Sequence, residues 1–427
     1  MSRDRSDSAE KTVAPRPSRR RHRDPRSLPL YGVYRRFRNL AFGAPEATDD
    51  EGLARLLFQA LVEEIPTASP IRGVRLYRRE GDDFVLLDRN GDAGEVTPGY
   101  RVPATHPVIV QSLHDGWTLV RRGDSRYDEW VARTGGDHAV AKLLLGPARN
   151  LLLSFTLREP IATAEVANAL TALGSLADSA RARQRFQHVL EQAREVQTSL
   201  LPRSLPAIPG FELAVRQRPA EIVGGDVYDL ARVGDDALAV CIADATGHGL
   251  PAALQARDVI VGLRMGMALQ LKMVAIVDRL SRVLADSSPV GRYVSFFFAE
   301  IDGDGHLIYL NAGHPPPLLI GRERRRHERL RTSGPILGLD RRTARPWVRV
   351  FERLAPGDLL VLYTDGITEV RSPDDEEYGI ERLQRFFRRH ASEPLVQLTD
   401  LLFAEIDAFA GGSPPLDDQT LLLVRRS

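Results

Sequence analysis

The stretch that organises the second half of the chain is "PAEIVGGDVYDL", residues 219–230. It sets Gly224 and Gly225 directly before Asp226, and a second aspartate, Asp229, follows three residues later. A glycine pair costs conformational entropy, so it indicates a turn or a close approach of the backbone to another group. Taken alone, the stretch fits a hairpin turn with solvated acids, because Gly and Asp are common turn residues.

Acidic turns of this kind recur along the chain. Three further stretches place an aspartate at the edge of an apolar strand, namely "CIADATGHG" at Asp244, "VLYTDGITE" at Asp365 and "PPLDDQT" at Asp417 and Asp418. Hard divalent cations such as magnesium and manganese prefer carboxylate and carbonyl oxygens. Carboxylates that converge without a metal would be costly. The recurrence therefore predicts that Asp226 and these aspartates meet around metal ions.

Composition excludes several other classes of protein. The 427 residues suit two or three domains, and 43% hydrophobic with 27% charged residues is ordinary for globular chains. A formal net charge of +1 gives no argument for nucleic acid or an anionic membrane as a partner. The single cysteine, Cys241, excludes an internal disulfide, and no apolar run approaches a membrane span of about 18 residues. We expect a cytoplasmic protein with no membrane segment.

The first part of the chain predicts a tail followed by a small domain. Residues 1–47 are expected to form a disordered basic tail, since their first half is rich in Arg, Pro and Ser and poor in aliphatic residues. Residues 48–160 carry a helix signal, "DDEGLARLLFQALVEEI", and a strand pair, "GVRLYRREGDDFVLLD". This pattern resembles a small sensor domain of the GAF type. The alternative is a packing or dimerisation domain that binds no ligand.

Residues 161–202 predict one long helix that links the two domains. Two series of apolar residues follow the four-three spacing of a coiled coil and are out of step by one residue: Val166, Leu170, Leu173, Ala177 and Ala180, then Phe186, Val189, Ala193, Val196 and Leu200. A parallel stalk that makes the protein a homodimer is one interpretation. A helix that packs onto its own domain is the other.

Residues 203–427 predict an α+β domain. Apolar strand signals arrive in consecutive runs and are divided by paired helix signals at 251–271 and 273–286, and at 380–390 and 394–409. Consecutive strands favour antiparallel sheets with helices segregated beside them.

The motifs of this domain resemble a known family. They are, in order along the chain, "LLPRSLPAIPGFELAVRQRPAEIVGGDVYD", "ADATGHGLPAAL", "LNAGHPPPLLI", "SGPILGL", "LYTDGITE" and "DDQT". Together they resemble the PPM-type metal-dependent serine/threonine phosphatases, in particular the bacterial partner-switching group of the SpoIIE and RsbU kind. The resemblance covers about residues 196–425. It implies a sandwich of two antiparallel sheets flanked by helices, with two divalent cations, manganese or magnesium, bound at one end.

The resemblance also implies roles for individual residues. The metal ligands would be the side chains of Asp226, Asp244, Asp365 and Asp417 and the backbone carbonyl of Ala245, with Asp226 and Asp244 at the catalytic centre. Asp418 stands where eukaryotic-type members carry asparagine. Asp229 is expected to support the ligands, with a solvated turn acid as the alternative. His248 is either a general acid for the leaving group or a residue whose hydrogen bond ties its loop.

The function that follows is hydrolysis of phosphoserine or phosphothreonine on a signalling protein by metal-activated water. Within this family, an anti-sigma-factor antagonist of the STAS type is the expected substrate. The family also uses the helices after "ADATG" as a switch that positions metal ligands, which implies regulation through the linker. The alternative is that these helices serve only to pack the core. The alternative function is a catalytically inactive scaffold that binds such a partner.

Overall fold

A computed structural model of the chain describes residues 39, 49–64, 70–92, 94–136, 138–234, 236–287, 291–321, 327–339 and 347–427. The predicted disordered tail, residues 1–47, lies outside this set apart from residue 39. The chain divides into two compact units, Met1–Phe186 and Gln187–Ser427. None of the helices within the described ranges combines the length and the apolar character needed to cross a membrane.

The N-terminal unit is built on one six-stranded antiparallel sheet with the strand order β3-β2-β1-β6-β5-β4. Its strands are β1 Ile71–Glu80, β2 Asp83–Gly91, β3 Arg101–Pro103, β4 Trp117–Val120, β5 Ala139–Leu145 and β6 Leu151–Leu157. Its helices are α1 Asp50–Glu64, α2 Pro107–Asp115 and α3 Glu129–Gly135. The two strands predicted around the Gly-Asp turn are confirmed as β1 and β2, which pair down to Glu80 opposite Asp83.

Helices cover both faces of this sheet. Successive side chains of a strand point to opposite faces, and here both sets include apolar residues that must be buried. On one face, Leu76 and Phe155 pack in a core with Leu57 of α1. On the other face, Tyr77 and Leu152 lie in a cluster with residues of α2. The second face also carries buried polar side chains.

The predicted linker is a single helix, α4 Thr163–Leu200, whose two halves differ in environment. Val166, Leu170 and Leu173 of the first apolar series are buried in the core of the N-terminal unit. This half of the helix packs onto its own domain. In the second series Phe186 and Val196 are 63% and 55% exposed, so that series leaves an apolar stripe open.

The C-terminal unit contains two five-stranded antiparallel sheets, ordered β14-β11-β10-β9-β8 and β13-β12-β15-β16-β7. The strands are β7 Phe211–Arg218, β8 Asp226–Val233, β9 Ala237–Ala245, β10 Val294–Ile301, β11 His306–Ala312, β12 Leu318–Ile320, β13 His327–Arg329, β14 Val350–Arg353, β15 Leu359–Tyr363 and β16 Gln419–Arg426. The helices are α5 Leu250–Ala268, α6 Met273–Ser287, α7 Asp365–Thr368, α8 Gly379–His390 and α9 Leu395–Phe409. All four helices predicted in this domain are confirmed, with ends within about three residues.

The two sheets pack face to face, and helices cover both outer faces. Ile242 and Phe297 of the first sheet share a core with Leu422 of the second. Helices α5 and α6 pack on the outside of the first sheet, with Ile260 in contact with the cluster around Phe296. Helices α8 and α9 cover the second sheet in the same way. The predicted α+β sandwich of antiparallel sheets flanked by helices is confirmed.

Candidate active site

Asp226 and Asp244 lie directly opposite each other on neighbouring strands. Strand β8 begins at Asp226, strand β9 ends one residue after Asp244, and the two residues pair in register. Opposite residues of an antiparallel pair have Cα atoms about 4.5–5.5 Å apart. The strand register therefore brings together two aspartates that the sequence places in separate motifs.

The second sheet places three more aspartates at this end of the sandwich. Asp365 begins α7 immediately after β15, and Asp417 and Asp418 directly precede β16. Strands β15 and β16 are neighbours, and the N–H of Thr364 donates to the carbonyl of Thr420 at 3.1 Å. The turn after one strand and the turn before the other therefore lie side by side.

Two threonines join the Asp226 carboxylate to the opposite sheet. The hydroxyls of Thr364 and Thr420 both donate to Asp226 Oδ2, at 2.7 and 2.6 Å, and all three residues are buried. These bonds hold one carboxylate oxygen of β8 against the ends of β15 and β16. Sequence reasoning missed both threonines. The available signal was their position, since Thr364 precedes Asp365 and Thr420 closely follows Asp418.

Asp418 anchors the loop before Asp226. Its Oδ1 accepts a hydrogen bond from the N–H of Ala220 at 2.8 Å, and its Oδ2 accepts from the N–H of Gly225. A longer contact of 3.4 Å joins Oδ2 to the N–H of Asp226. The carboxylate of Asp418 is thus committed to backbone donors, which explains why an acid at this position organises the site.

The glycine pair is required by two close approaches. A Cβ atom on Gly224 would lie 2.3 Å from Asp418 Oδ2, and one on Gly225 would lie 2.8 Å from the carbonyl oxygen of Ala245. The Ala245 N–H also donates to the Gly225 carbonyl at 3.2 Å. Bare backbone at both positions lets the loop fit between the Asp418 carboxylate and the end of β9. The hairpin turn with solvated acids is therefore not what the structure shows, because Asp226 is only 1% exposed.

Burial and mutual repulsion perturb these carboxyl groups. Burial raises the pKa of Asp226 well above its ordinary value, and the neighbouring Asp244 raises it further. Burial likewise raises the pKa of Asp244 to about 7, with further increases from Asp365 and Asp417. The pKa values of Asp365 and Asp417 are also raised, first by burial. A cluster of acids that resist ionisation together is a chemical complement for cations.

Glu369 is a further acid near this cluster that the sequence analysis did not select. It lies one helical turn beyond Asp365, and its N–H donates to the Asp365 carbonyl at 2.7 Å. Burial raises its pKa, and the charges of Asp365 and Asp417 contribute. The spacing of "DGITE", which puts both acids on one side of a helical turn, was the available signal.

Asp229 does not join the carboxylate cluster. Its buried carboxylate accepts two hydrogen bonds from Arg264 of α5, at 2.7 and 2.9 Å. Arg264 also donates to the carbonyl of Leu200 at 2.7 Å, at the end of α4. Asp229 is therefore a buried structural partner that ties β8, α5 and α4 together, and the alternative of a solvated turn acid is wrong.

Two histidines have different environments. His248 is 75% exposed and its Nδ1 lies 2.8 Å from Glu221 Oε1, so it links the loop after β9 to the loop before β8. His314 is buried, with its Nδ1 2.8 Å from the hydroxyl of Ser295. Burial lowers the pKa of His314 to about 3, so its ring is neutral. His248 therefore lies at an exposed loop contact, and His314 is an uncharged residue of the interior.

The donor set fits hard divalent cations. It consists of carboxylates with raised pKa values at the end of a rigid sandwich, the chemistry that magnesium and manganese prefer. Among the described residues, no three His, Cys, Asp or Glu side chains have the close spacing of a preassembled metal site.

The two-sheet sandwich, its flanking helix pairs and the acidic cluster at one end are the architecture that the family resemblance of the motifs implied. Residues 234–427 match the family described as "Stage II sporulation protein E (SpoIIE)". This part of the chain is therefore similar to SpoIIE/PP2C phosphatase domains, which confirms the resemblance noted from its motifs.

Relatives with curated descriptions agree. The chain is 29% identical over 266 residues to Protein IcfG of Synechocystis sp. This match covers 56% of the chain and 41% of IcfG. The chain is also 26% identical over 250 residues to "Phosphoserine phosphatase RsbU" of Bacillus subtilis. This match covers 57% of the chain and 71% of RsbU. The match thus spans less than half the length of IcfG. Among solved structures, the SiaA-PP2C domain of Pseudomonas aeruginosa has a similar fold, with a TM-score of 0.52 at 22% identity over 58% of this chain and 100% of that one.

Proposed function

We propose that the C-terminal domain is an active metal-dependent phosphatase that hydrolyses phosphoserine or phosphothreonine on a protein. The observation that carries this proposal is the in-register pairing of Asp226 with Asp244 beside the turns that hold Asp365 and Asp417. Such a set of acids at one end of a PP2C-type sandwich is what two-metal hydrolysis of a phosphate ester needs.

In this proposal Asp226, Asp244, Asp365, Asp417 and the carbonyl of Ala245 hold two divalent cations, manganese or magnesium. The PP2C family depends on divalent metal ions. Such ions, when bound, lower the pKa of water and neutralise phosphoryl oxygens.

Side chains near the acidic cluster hold the proposed ligand Asp226 in place. Thr364 and Thr420 fix one oxygen of Asp226. Asp418 holds the loop before it through backbone N–H groups. His248 lies in the exposed loop after β9 and pairs with Glu221 of the loop before β8. Its role is either to donate a proton to the leaving oxygen or to tie these two loops together.

The expected substrate is a phosphorylated signalling protein. Two of the relatives, RsbU and RsbP of Bacillus subtilis, are named phosphoserine phosphatases. By analogy with partner-switching pathways, we propose a STAS-type anti-sigma-factor antagonist as the substrate, with the cytoplasm as the site of action. An inactive scaffold that binds the same partner remains the alternative function, but every expected ligand side chain is present, which favours catalysis.

We also propose that the chain forms a homodimer through its sensor region and linker helix. The support is the exposed second apolar series of α4, in which Phe186, Val189 and Val196 are 63%, 49% and 55% exposed. Apolar residues at this spacing are typical of a helix that pairs with a second helix. Light scattering on the whole protein tests this, and a monomer at micromolar concentration would contradict it.

The test of the catalytic proposal is hydrolysis of a chromogenic aryl phosphate with manganese, magnesium or EDTA. Wild type should turn over with metal and not with EDTA, and Asp226→Asn should abolish turnover. Asp304→Asn, in the exposed turn between β10 and β11, is the matched control and should retain activity. If wild type neither turned over the ester nor bound manganese in calorimetry, the scaffold function would replace the phosphatase.

A further inference from the structure

A row of buried polar side chains crosses the second face of the N-terminal sheet, the face that carries Tyr77 and Leu152. Strand pairing aligns Thr118 of β4 with Lys142 of β5, Lys142 with Ser154 of β6, and Ser154 with Arg75 of β1. Arg75, Lys142 and Ser154 have no exposed surface, and Thr118 is 2% exposed. Two cationic side chains are therefore enclosed in the domain.

Neither cation has a carboxylate partner among the described residues. Arg75 donates to the carbonyl of Thr134 and to Ser154 Oγ at 3.2 Å. Lys142 Nζ donates to the same hydroxyl at 3.3 Å. The acid that acts on Arg75 through its charge is Asp92, whose largely exposed carboxylate lies 3.1 Å from a ring nitrogen of His138. Buried charges in proteins are normally paired, so this pair requires a reason.

The cluster also contains a surplus of hydrogen-bond donors. Arg75 Nε, the Tyr77 hydroxyl, Thr118 Oγ1 and Trp130 Nε1 are buried without a hydrogen-bond partner. Lys142 Nζ lies 4.7 Å from the centre of a Trp130 ring and 6.0 Å from that of Tyr77, so these groups are neighbours. Each of them can donate a hydrogen bond, and leaving a buried donor unpaired costs free energy.

We propose that this cluster binds a small tetrahedral dianion of the phosphate or sulfate type. Two cations match two negative charges, and the unpaired N–H and O–H groups match the acceptor oxygens of such an ion. A single carboxylate would leave one positive charge and several donors unsatisfied. The ion would replace the Thr134 carbonyl as the partner of Arg75, beneath the short helix α3.

The proposal concerns the N-terminal domain and does not rest on the phosphatase function. Burial lowers the pKa of Lys142 well below its ordinary value, and the charge of Arg75 lowers it further. A bound dianion would offset both effects, since opposite charge favours the protonated amine. The site would give the predicted sensor domain a ligand class that its sequence motifs did not indicate.

The test is calorimetric titration of the full-length Asp226→Asn variant in EDTA with inorganic phosphate, sulfate and acetate. That background limits phosphate binding at the acidic cluster of the other domain. Phosphate or sulfate should bind saturably, with one site per chain, and acetate should not. The absence of saturable binding up to millimolar concentrations would overturn the proposal, and so would acetate binding as tightly as phosphate.

A pair of variants locates the site. Lys142→Met, made in the same background, keeps an unbranched apolar stem one atom shorter and removes a buried charge, so it should unfold at no lower temperature than its parent. It should bind phosphate about tenfold more weakly or worse, because a charged hydrogen bond is lost. Arg158→Met, at an exposed position just beyond β6, should bind as its parent does. Equal binding by Lys142→Met and Arg158→Met would place the anion elsewhere.

Discussion

The side-chain amide of Gln197, near the end of α4, forms two hydrogen bonds with the backbone of Gly224. Gln197 Nε2 donates to the Gly224 carbonyl at 2.6 Å, and the Gly224 N–H donates to Gln197 Oε1 at 3.3 Å. Gly224 lies two residues before Asp226. The linker helix is therefore bonded to the loop from which the first aspartate of the acidic cluster projects.

Gln197→Ala should weaken manganese binding. Each neutral hydrogen bond contributes about 1 kcal/mol, so losing two that hold the loop should raise the dissociation constant by up to about thirtyfold. Calorimetric titration of metal-stripped protein with manganese measures this. Gln192→Ala, at an exposed position on the same helix, is the control and should bind as wild type. Equal affinities for the two variants would mean that the Gln197 contact does not position the loop.

Gly224→Ala should destabilise the C-terminal domain, because the new Cβ would meet Asp418 at 2.3 Å. Overpacking of this kind costs roughly 1–3 kcal/mol. The loop shift should also reduce manganese binding. Gly210→Ala separates the clash from backbone strain, since Gly210 has a φ of +83° but open space around its Cβ position. That variant should lose stability but bind manganese normally in the same calorimetric assay.

Arg264→Met should leave the buried carboxylate of Asp229 without its partner. Breaking such a pair costs several kcal/mol when both groups are enclosed, but Arg264 is 41% exposed, so we expect about 2 kcal/mol. Thermal unfolding of the C-terminal domain measures the loss. Arg282→Met removes a surface pair with Asp278 on α6 and should cost less than about 1 kcal/mol. A similar cost for both variants would show that the Asp229 pair is no more than a surface contact.

His314 should make the domain sensitive to acid. Its folded pKa, about 3, lies below the ordinary value of 6.5, so protons bind the unfolded state more tightly. The stabilisation is complete above pH 6.5 and is lost as the pH falls toward 3. Between pH 7 and pH 5, wild type should lose about 2 kcal/mol more unfolding free energy than His314→Gln.

Unfolding at the two pH values measures this difference. His188→Gln, on the exposed part of α4, should show the same acid sensitivity as wild type. Acid sensitivity of His314→Gln equal to that of wild type would mean that another group titrates in this range.

Much of the C-terminal domain was predictable because its signals are local. Helix α9, predicted over 394–409, occupies Leu395–Phe409, since apolar spacing and flanking turn residues act within a few positions. The aspartate turns were likewise visible as acids at the edges of apolar strands. The roles of Asp229 and Asp418 were not visible, because each depends on a partner distant in the chain, Arg264 in one case and the Gly225 N–H in the other.

The sequence by itself determined the antiparallel strands, the order of the elements and the acids at the strand edges, because strand and helix periodicity and turn chemistry are properties of short segments. The two-sheet sandwich was expected only from the resemblance of the motifs to a known family. Only the tertiary structure decided what those acids contact. Thr364 reaches Asp226 across 138 residues and Thr420 reaches it across 194, through the packing of one sheet on another. The positions of the buried Arg75 and Lys142 depended on strand register in the same way. Each looks like an ordinary charged residue in a strand until pairing places both beside Ser154, where neither forms an ion pair with a carboxylate of the described residues.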